Sequence, residues 1–307
     1  MTSFSTAPSR IIPRIIPLAR LMSERVCALK AIHSFSSDAI RKDFPWICVP
    51  PYRSIKVDLN NSESKRKWAR EGTKEEFMQL VAGYVKQWKE EGIPSVWLHI
   101  PIKLSHLIAE VSTLGFTFHH AHHCQAVLSL WLDKSKPSKI PLYGTHQVGV
   151  AGVVYREETD EVLVIQDKYK VVKWKFPGGF SDHAEDIAQT AVREVQEETG
   201  IQTEFKSVIA FRQHHHMPHA YDQSDLYFLC RLRPITYDIH PCPDEVSQCR
   251  WMNLNSLIQA DTVTPLMLKV SELLHIGKSK GFDVIDISAH ECNSIYPGLK
   301  YSLFYRM

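Results

Sequence analysis

Glu194, Glu197 and Glu198 crowd into one short stretch of a chain that is otherwise close to neutral. The stretch is GGFSDHAEDIAQTAVREVQEETGI, from Gly178 to Ile201, and a proline stands just before it. Asp186 can cap a helix over Ile187–Thr199, and Gly200 can stop it. Ile187, Ala188, Ala191, Val192 and Val195 then form the apolar stripe that packs inward. At about 100° per residue, Glu197 and Glu198 fall to either side of Glu194, so the spacing predicts three carboxylates on one side of the helix. Two carboxylates about 6 Å apart repel by roughly 2–3 kcal/mol at an effective dielectric of about 20. The helix macrodipole also disfavours negative charge at a C-terminus. Two arrangements accommodate this crowding. One is an acidic face splayed into water. The other is a divalent-cation site, because carboxylate oxygens suit Mg²⁺ or Mn²⁺, and Mg²⁺ commonly combines one or two carboxylates with waters and substrate phosphates.

The surrounding residues separate the two. Gly179, Glu185, Arg193, Glu194, Glu197, Glu198 and Gly200 fit the pattern G-x5-E-x7-R-E-U-x-E-E-x-G-U, in which Val195 and Ile201 fill the bulky aliphatic positions U. On average residue usage a chance match is on the order of one in a billion per window. The chain therefore resembles the Nudix hydrolases, with every fixed position of their signature filled. The resemblance implies an α-β-α sandwich with a mixed sheet between helices. It implies that Glu194, Glu197 and Glu198 hold a divalent metal, and that Arg193 pairs with a nearby carboxylate and orients it, with Glu185 more peripheral. Gly178 and Gly179 would let the backbone approach a diphosphate. The implied reaction is hydrolysis of a nucleoside diphosphate linked to another moiety, with water attacking one phosphorus. The general base would be Glu198 or a glutamate on a later loop, for which Glu245 in PDEVSQCRW is the candidate.

These groups need elements to position them. Val148–Tyr155 and Val162–Gln166 read as strands joined by a polar turn, and Glu204–Arg212 and Leu226–Leu232 as two more. A last helix begins at Pro265 behind Thr264. Ahead of residue 133 the rhythm differs. Ile55–Leu59, Ser95–Ile100, Phe116–Phe118 and Ala126–Leu132 read as strands. Helices are predicted at Lys74–Glu91, behind a Thr73–Glu76 capping box, and at Leu104–Ser112. The Lys-, Ser- and Pro-rich run DKSKPSKIP marks a linker. The expected organisation is an α+β domain over 44–132, a linker over 133–143 and the Nudix domain over 144–307.

Residues outside the signature bear on the substrate. Arg212 and Gln213 leave a strand where a substrate could lie, and Asp225 could reach a ribose or a base. The region from about Pro45 onward resembles one subgroup of the family, which includes plant proteins that cleave ADP-ribose and NADH. By that resemblance the first domain is acetyltransferase-like in shape, although no acetyl-CoA-binding glycine loop is present. A small nucleotide diphosphate such as ADP-ribose or NADH is the expected substrate. FAD, coenzyme A, an oxidised nucleotide or an RNA cap is the alternative, as is a nucleotide-binding regulatory protein acting through its first domain. A homodimer is compatible with the family. Two histidine groups, His119, His120, His122 and His123, and His214, His215, His216 and His219, lack the cysteine pairs or helical spacing of a zinc site and read as exposed segments.

The 307-residue chain has a net charge of +2. That gives no field to attract nucleic acid or an anionic membrane. It contains no apolar run long enough for a transmembrane helix. Seven scattered cysteines without a CxxC pair suggest reduced thiols in an intracellular compartment. Residues 1–40 read either as a mitochondrial transit peptide or as an unstructured basic tail. Within residues 1–30, Arg10, Arg14, Arg20, Arg25 and Lys30 face one acid, Glu24, but Pro13 and Pro17 interrupt any helix. A mitochondrial location is expected on the first reading, a cytoplasmic and nuclear one on the second.

Overall fold

Alternation of buried Ile55, Val57 and Leu59 with more exposed neighbours sets the first well-defined strand on a half-covered sheet. The computed structural model describes residues 46–49, 52–60, 67–68, 72–169, 173–218, 220–259 and 263–306. The segment read as targeting or unstructured lies outside them, as does His219. The chain divides into two compact units, Met1–Tyr143 and Gly144–Met307.

In the first unit, β1 (Trp46–Val49), β2 (Ser54–Asp58), β3 (Ser95–Pro101), β4 (Thr117–His122) and β5 (Gln125–Trp131) form a sheet in the order β1-β2-β3-β5-β4. Strands β2 and β3 run parallel and the other neighbours antiparallel. Helix α1 (Lys74–Glu90) buries Phe77, Val81, Tyr84 and Trp88 against this sheet, and both hydrogen bonds of the Thr73–Glu76 capping box are present. The helix expected over Leu104–Ser112 is not continuous. Leu104 takes a non-helical φ of −111° and ψ of 17°, so Ile102–Leu107 forms a 3-10 segment and only Ile108–Ser112 is α-helix (α2).

In the second unit, β6 (His146–Arg156) lies at the centre. With β7 (Glu161–Asp167), β9 (Thr203–His214), β10 (Ser224–Pro234) and β11 (Val246–Asn253) it makes a mixed sheet in the order β11-β7-β6-β10-β9, and short β8 (Gly178–Phe180) adds to β6. Strands β6 and β10 are parallel. Alternate β6 side chains serve two helices, which is why the strand is apolar almost throughout. Val150 and Val154 pack with Ala191 and Val195 of α3 (Ile187–Thr199). Ala151, Val153 and Tyr155 pack on the other face with Met267, Val270 and Leu274, which belong to the long helix Pro265–Lys280. That helix is α5, after the short α4 (Leu254–Gln259). The result is helix, sheet, helix. A terminal hairpin, β12 (Ser288–Asn293) with β13 (Lys300–Tyr305), had no sequence expectation and joins β9 through a Val208–Ile287 bridge. Among the described residues no helix is long and apolar enough to cross a membrane.

Candidate active site

Gly178 and Gly179 belong to a strand, with Pro177 in a bend just before it. Gly178 and Gly179 pair in β8 with Ala151 and Val150 of β6. At Gly178, φ is 155° and a Cβ would stand 2.1 Å from the Val150 carbonyl oxygen. At Gly179 a Cβ would stand 2.6–2.7 Å from the carboxylate atoms of Glu194. Bare backbone therefore lies directly against an acid of α3, and no other residue type leaves that room.

Helix α3 keeps its predicted limits, and Gly200 ends it with a left-handed φ of 75°. Its start differs from expectation in one respect. Asp186 holds the N-cap position, but its side chain accepts no helix N–H. The neighbouring acid does the work. Glu185 Oε2 accepts from Thr190 Oγ1 at 2.8 Å and from the Asp182 N–H at 3.0 Å, which closes the loop onto the first turn.

Glu185 also anchors Arg193, through Nε at 2.8 Å and Nη2 at 2.9 Å. This fork-to-fork pairing fixes the guanidinium plane. The remaining donors reach Glu194 Oε1 at 2.8 Å, Glu197 Oε2 at 2.9 Å and the Phe180 carbonyl at 3.1 Å. Arg193 thus ties β8, the loop before α3 and two of the three glutamates together. Its hydrogen bond holds the Glu185 carboxyl down at about 2, and the same contacts raise the guanidinium above its ordinary value.

The three glutamates do not form one wall. Glu197 is exposed, Glu194 is partly covered, and Glu198 is 5% exposed. Glu198 follows Ala191 and Val195 on the inner edge of the apolar stripe, so the helix turns it toward the sheet. There Oε2 accepts the Gly178 N–H at 2.6 Å, and Oε1 lies 3.7 Å from Lys175 Nζ. Lys175 in turn sits 2.8 Å from Asp167. Burial pushes the Glu198 carboxyl up to about 7, against the opposing pull of Lys175. Burial also raises Glu194, and the charge of Glu245 adds to that shift.

Glu245 itself is exposed. Its loop is drawn to the site by two backbone hydrogen bonds, Cys242 N–H to the Glu198 carbonyl at 3.0 Å and Lys168 N–H to the Glu245 carbonyl at 2.9 Å. Arg212 and Asp225 come together: Nη2 lies 3.3 Å from Asp225 Oδ2, and Asp225 is 2% exposed. Gln213 goes elsewhere. Strand alternation turns it to the opposite face, where it meets His146 Nε2 at 2.7 Å. His119, His120 and His122 lie on β4 and His123 in the turn after it, and His119 and His120 share a hydrogen bond.

Lys175, Asp167 and Tyr227 had no place in the sequence reading, although they surround Glu198. Lys175 is brought in by mutual backbone hydrogen bonds with Ile165, a pairing with no local signal. A groove of about 780 Å³ along the outside of α3 touches Arg193 and Glu197 but neither Gly179 nor Glu198, so it is not where this chemistry converges.

An all-carboxylate donor set suits a hard divalent cation, and Glu194 presses its carboxylate on the bare Cα of Gly179. The residue types therefore fit Mg²⁺ or Mn²⁺. In the arrangement described, Arg193 and Lys175 supply the countercharge, and among the described residues no three His, Cys, Asp or Glu side chains converge on one point.

Comparison with known proteins identifies the family. The NUDIX domain family model matches residues 145–274, and a Nudix hydrolase domain model matches residues 50–132. Nucleoside diphosphate-linked moiety X motif 6 of Homo sapiens is 47% identical over 231 residues, covering 75% of this chain and 73% of the human protein. The protein of the same description from Xenopus laevis is 49% identical over 203 residues, covering 66% of this chain and 93% of the frog protein. Nudix hydrolase 8 of Arabidopsis thaliana is 35% identical over 237 residues, covering 75% of this chain and 63% of the plant protein.

Proposed function

The chain belongs to the Nudix hydrolase family, and from that membership and the site above we propose that it cleaves the diphosphate bridge of ADP-ribose or NADH. The observation that carries the reading is Arg193, locked onto Glu185 while it presents Glu194 to the open backbone of Gly179. A site built this way can seat a diphosphate against backbone with acids behind it. The choice of ADP-ribose or NADH rests on the likeness to plant members with those activities and on the Arg212–Asp225 pair beyond the glycines.

In this proposal Glu194, Glu197 and Glu198 hold Mg²⁺ or Mn²⁺. When bound, such a cation neutralises phosphate charge and makes phosphorus more open to attack. Arg193 orients Glu194 and Glu197, and the Gly178–Gly179 backbone admits the diphosphate. Glu245, exposed and electrostatically in touch with Glu194, takes a proton from the attacking water. The P–O–P bridge breaks, and ADP-ribose plus water gives AMP and ribose 5-phosphate. A second assignment makes Glu198 the base, supported by its place beneath Gly178, where Oε2 accepts the strand N–H and Oε1 faces Lys175.

The test is incubation of the purified protein with Mg²⁺ and ADP-ribose, NADH, FAD, coenzyme A, 8-oxo-dGTP or capped RNA, with Glu198→Gln and Glu245→Gln as controls. AMP from ADP-ribose or NADH, lost in the Glu198 variant, is expected. Turnover of none, with tight binding of one, would replace catalysis with a nucleotide-binding role. Mn²⁺ binding separates the two bases, because Glu245→Gln should lose turnover and keep the cation. An acetyltransferase-like shape for the first unit, a homodimer and a mitochondrial destination belong to the same proposal. The last is supported by the arginine-rich, acid-poor residues 1–40. Light scattering tests the dimer, and N-terminal sequencing of protein from cells tests the destination.

A further inference from the structure

Phe180, Gly149, Tyr227 and Arg212 stand in one row across β8, β6, β10 and β9. Asp225 lies two residues along β10 on the same face. Nothing rises from the middle of the row. A Cβ on Gly149 would meet Tyr227 Cδ2 at 2.6 Å and Asp225 Oδ1 at 3.5 Å. The Tyr227 ring therefore lies across Gly149, with the Asp225 carboxylate beside it. On one flank the Arg212 guanidinium stacks 4.7 Å over Tyr227, and on the other Phe180 is 58% exposed.

The row adjoins the acidic site. Phe180 follows Gly179 directly, and its carbonyl accepts from Arg193.

Two features there bear on a ligand. Arg212 Nε is buried and has no hydrogen-bond partner among the described residues. Asp225, almost fully buried, has one ion pair among the described residues, the 3.3 Å contact with Arg212. Buried charges left this way are costly unless a ligand completes them.

We propose that this row is the subsite for the moiety beyond the diphosphate, and that it takes a pentose with free vicinal hydroxyls. Asp225 and Arg212 hydrogen-bond the diol, and Phe180 and Tyr227 form the apolar floor beneath the sugar and any ring it carries. A hydroxyl both donates and accepts, and the Asp–Arg pair offers an acceptor and a donor side by side. A phosphate in the same place would face the Asp225 carboxylate. The amino edge of a base would leave the arginine unmatched.

The inference rests on the diphosphatase reading, and calorimetry can separate the two. The probe is ADP-ribose with a methylene in place of the bridging oxygen, measured with Mg²⁺ present, beside two versions that each lack the vicinal hydroxyls of one ribose. One of these is expected to bind the wild type about 30-fold more weakly. In Asp225→Asn that gap should close, while the deoxygenated probe binds as before and reports a folded site. Arg212→Met, a change at a partly exposed side chain, should narrow the gap too and serves if the Asp225 variant does not fold. Phe180→Ala should weaken all three probes by about fivefold. Equal binding of all probes by the wild type, binding of none at millimolar concentration, or an undiminished gap in both variants overturns the subsite. A wild type that discriminates the diol but releases no AMP from ADP-ribose or NADH removes the diphosphatase reading and leaves the subsite standing. Turnover without discrimination does the reverse.

Discussion

Helices α1 and α3 are both amphipathic and both pack on a mixed sheet, but their charges are laid out in opposite ways. In α1, Glu75 and Glu76 occupy the first turn and Lys89 the last, which complements the macrodipole, and Thr73 caps with its side chain. In α3 no acid lies in the first turn, no base lies in the last, and the N-cap side chain is unused. Instead three glutamates fill the end where the dipole opposes them. What makes this tolerable is specific. Ala191 and Val195 are fully buried, Gly200 closes the C-terminus, and Arg193 answers three acids at once. On the proposed function, the contrast is between a helix serving only the fold and one serving a site. Local rules are kept in the first, and in the second they are broken where the compensation lies in tertiary contacts.

The contrast can be broken most directly at the acids of α3. Glu198→Gln and Gly179→Ala should each lower kcat/KM by about 10²–10³-fold, the first by removing a buried charge and the second by pushing Glu194 off the bare backbone. Full activity in either would mean that the charge of α3 is mere surface. Arg193→Lys keeps the charge but loses the fork. It should cost roughly tenfold in kcat/KM and about 1–2 kcal/mol of stability in chemical denaturation. A lysine that restores both would show that only charge matters there. Thr73→Ala should cost about 1 kcal/mol, read as faster hydrogen exchange in α1, with kcat/KM unchanged. A loss of turnover would mean that α1 is not purely structural.

The smallest effect is confined to acid. Glu185 is held at about 2 by Arg193, below the ordinary glutamate value of 4.5. A depressed carboxyl stabilises the fold above its unfolded pKa, and that contribution is lost as pH falls through the folded value. Wild type should therefore lose stability between about pH 4.5 and 2 relative to Glu185→Gln, which lacks this titration. Parallel melting curves across that range would place the anchor of Arg193 elsewhere.

Much of this was legible in the chain. The limits of α3, the stop at Gly200 and the capping box of α1 depend on neighbours a few residues apart, so period and cap residues suffice to read them. The Gly-Glu-Arg-Glu spacing was equally local, and it named Arg193 and the acids. What escaped depends on contacts between distant segments. Glu197 and Glu198 are adjacent and chemically identical, but one is exposed and the other is buried beneath Gly178. Asp186 looked like the cap, and Glu185 closes the loop instead because Arg193 and Thr190 reach back to it. Gln213 and Arg212 stood together in the sequence, and strand alternation parted them.

By itself, then, the sequence determined which helix carries the acids, where that helix begins and ends, and to which family the chain belongs. Only the tertiary structure decided that Lys175 faces Glu198, and that Phe180, Gly149, Tyr227 and Arg212 align in one row. Those four residues come from four strands, and register between strands is set by the packing of whole faces rather than by any residue's near neighbours.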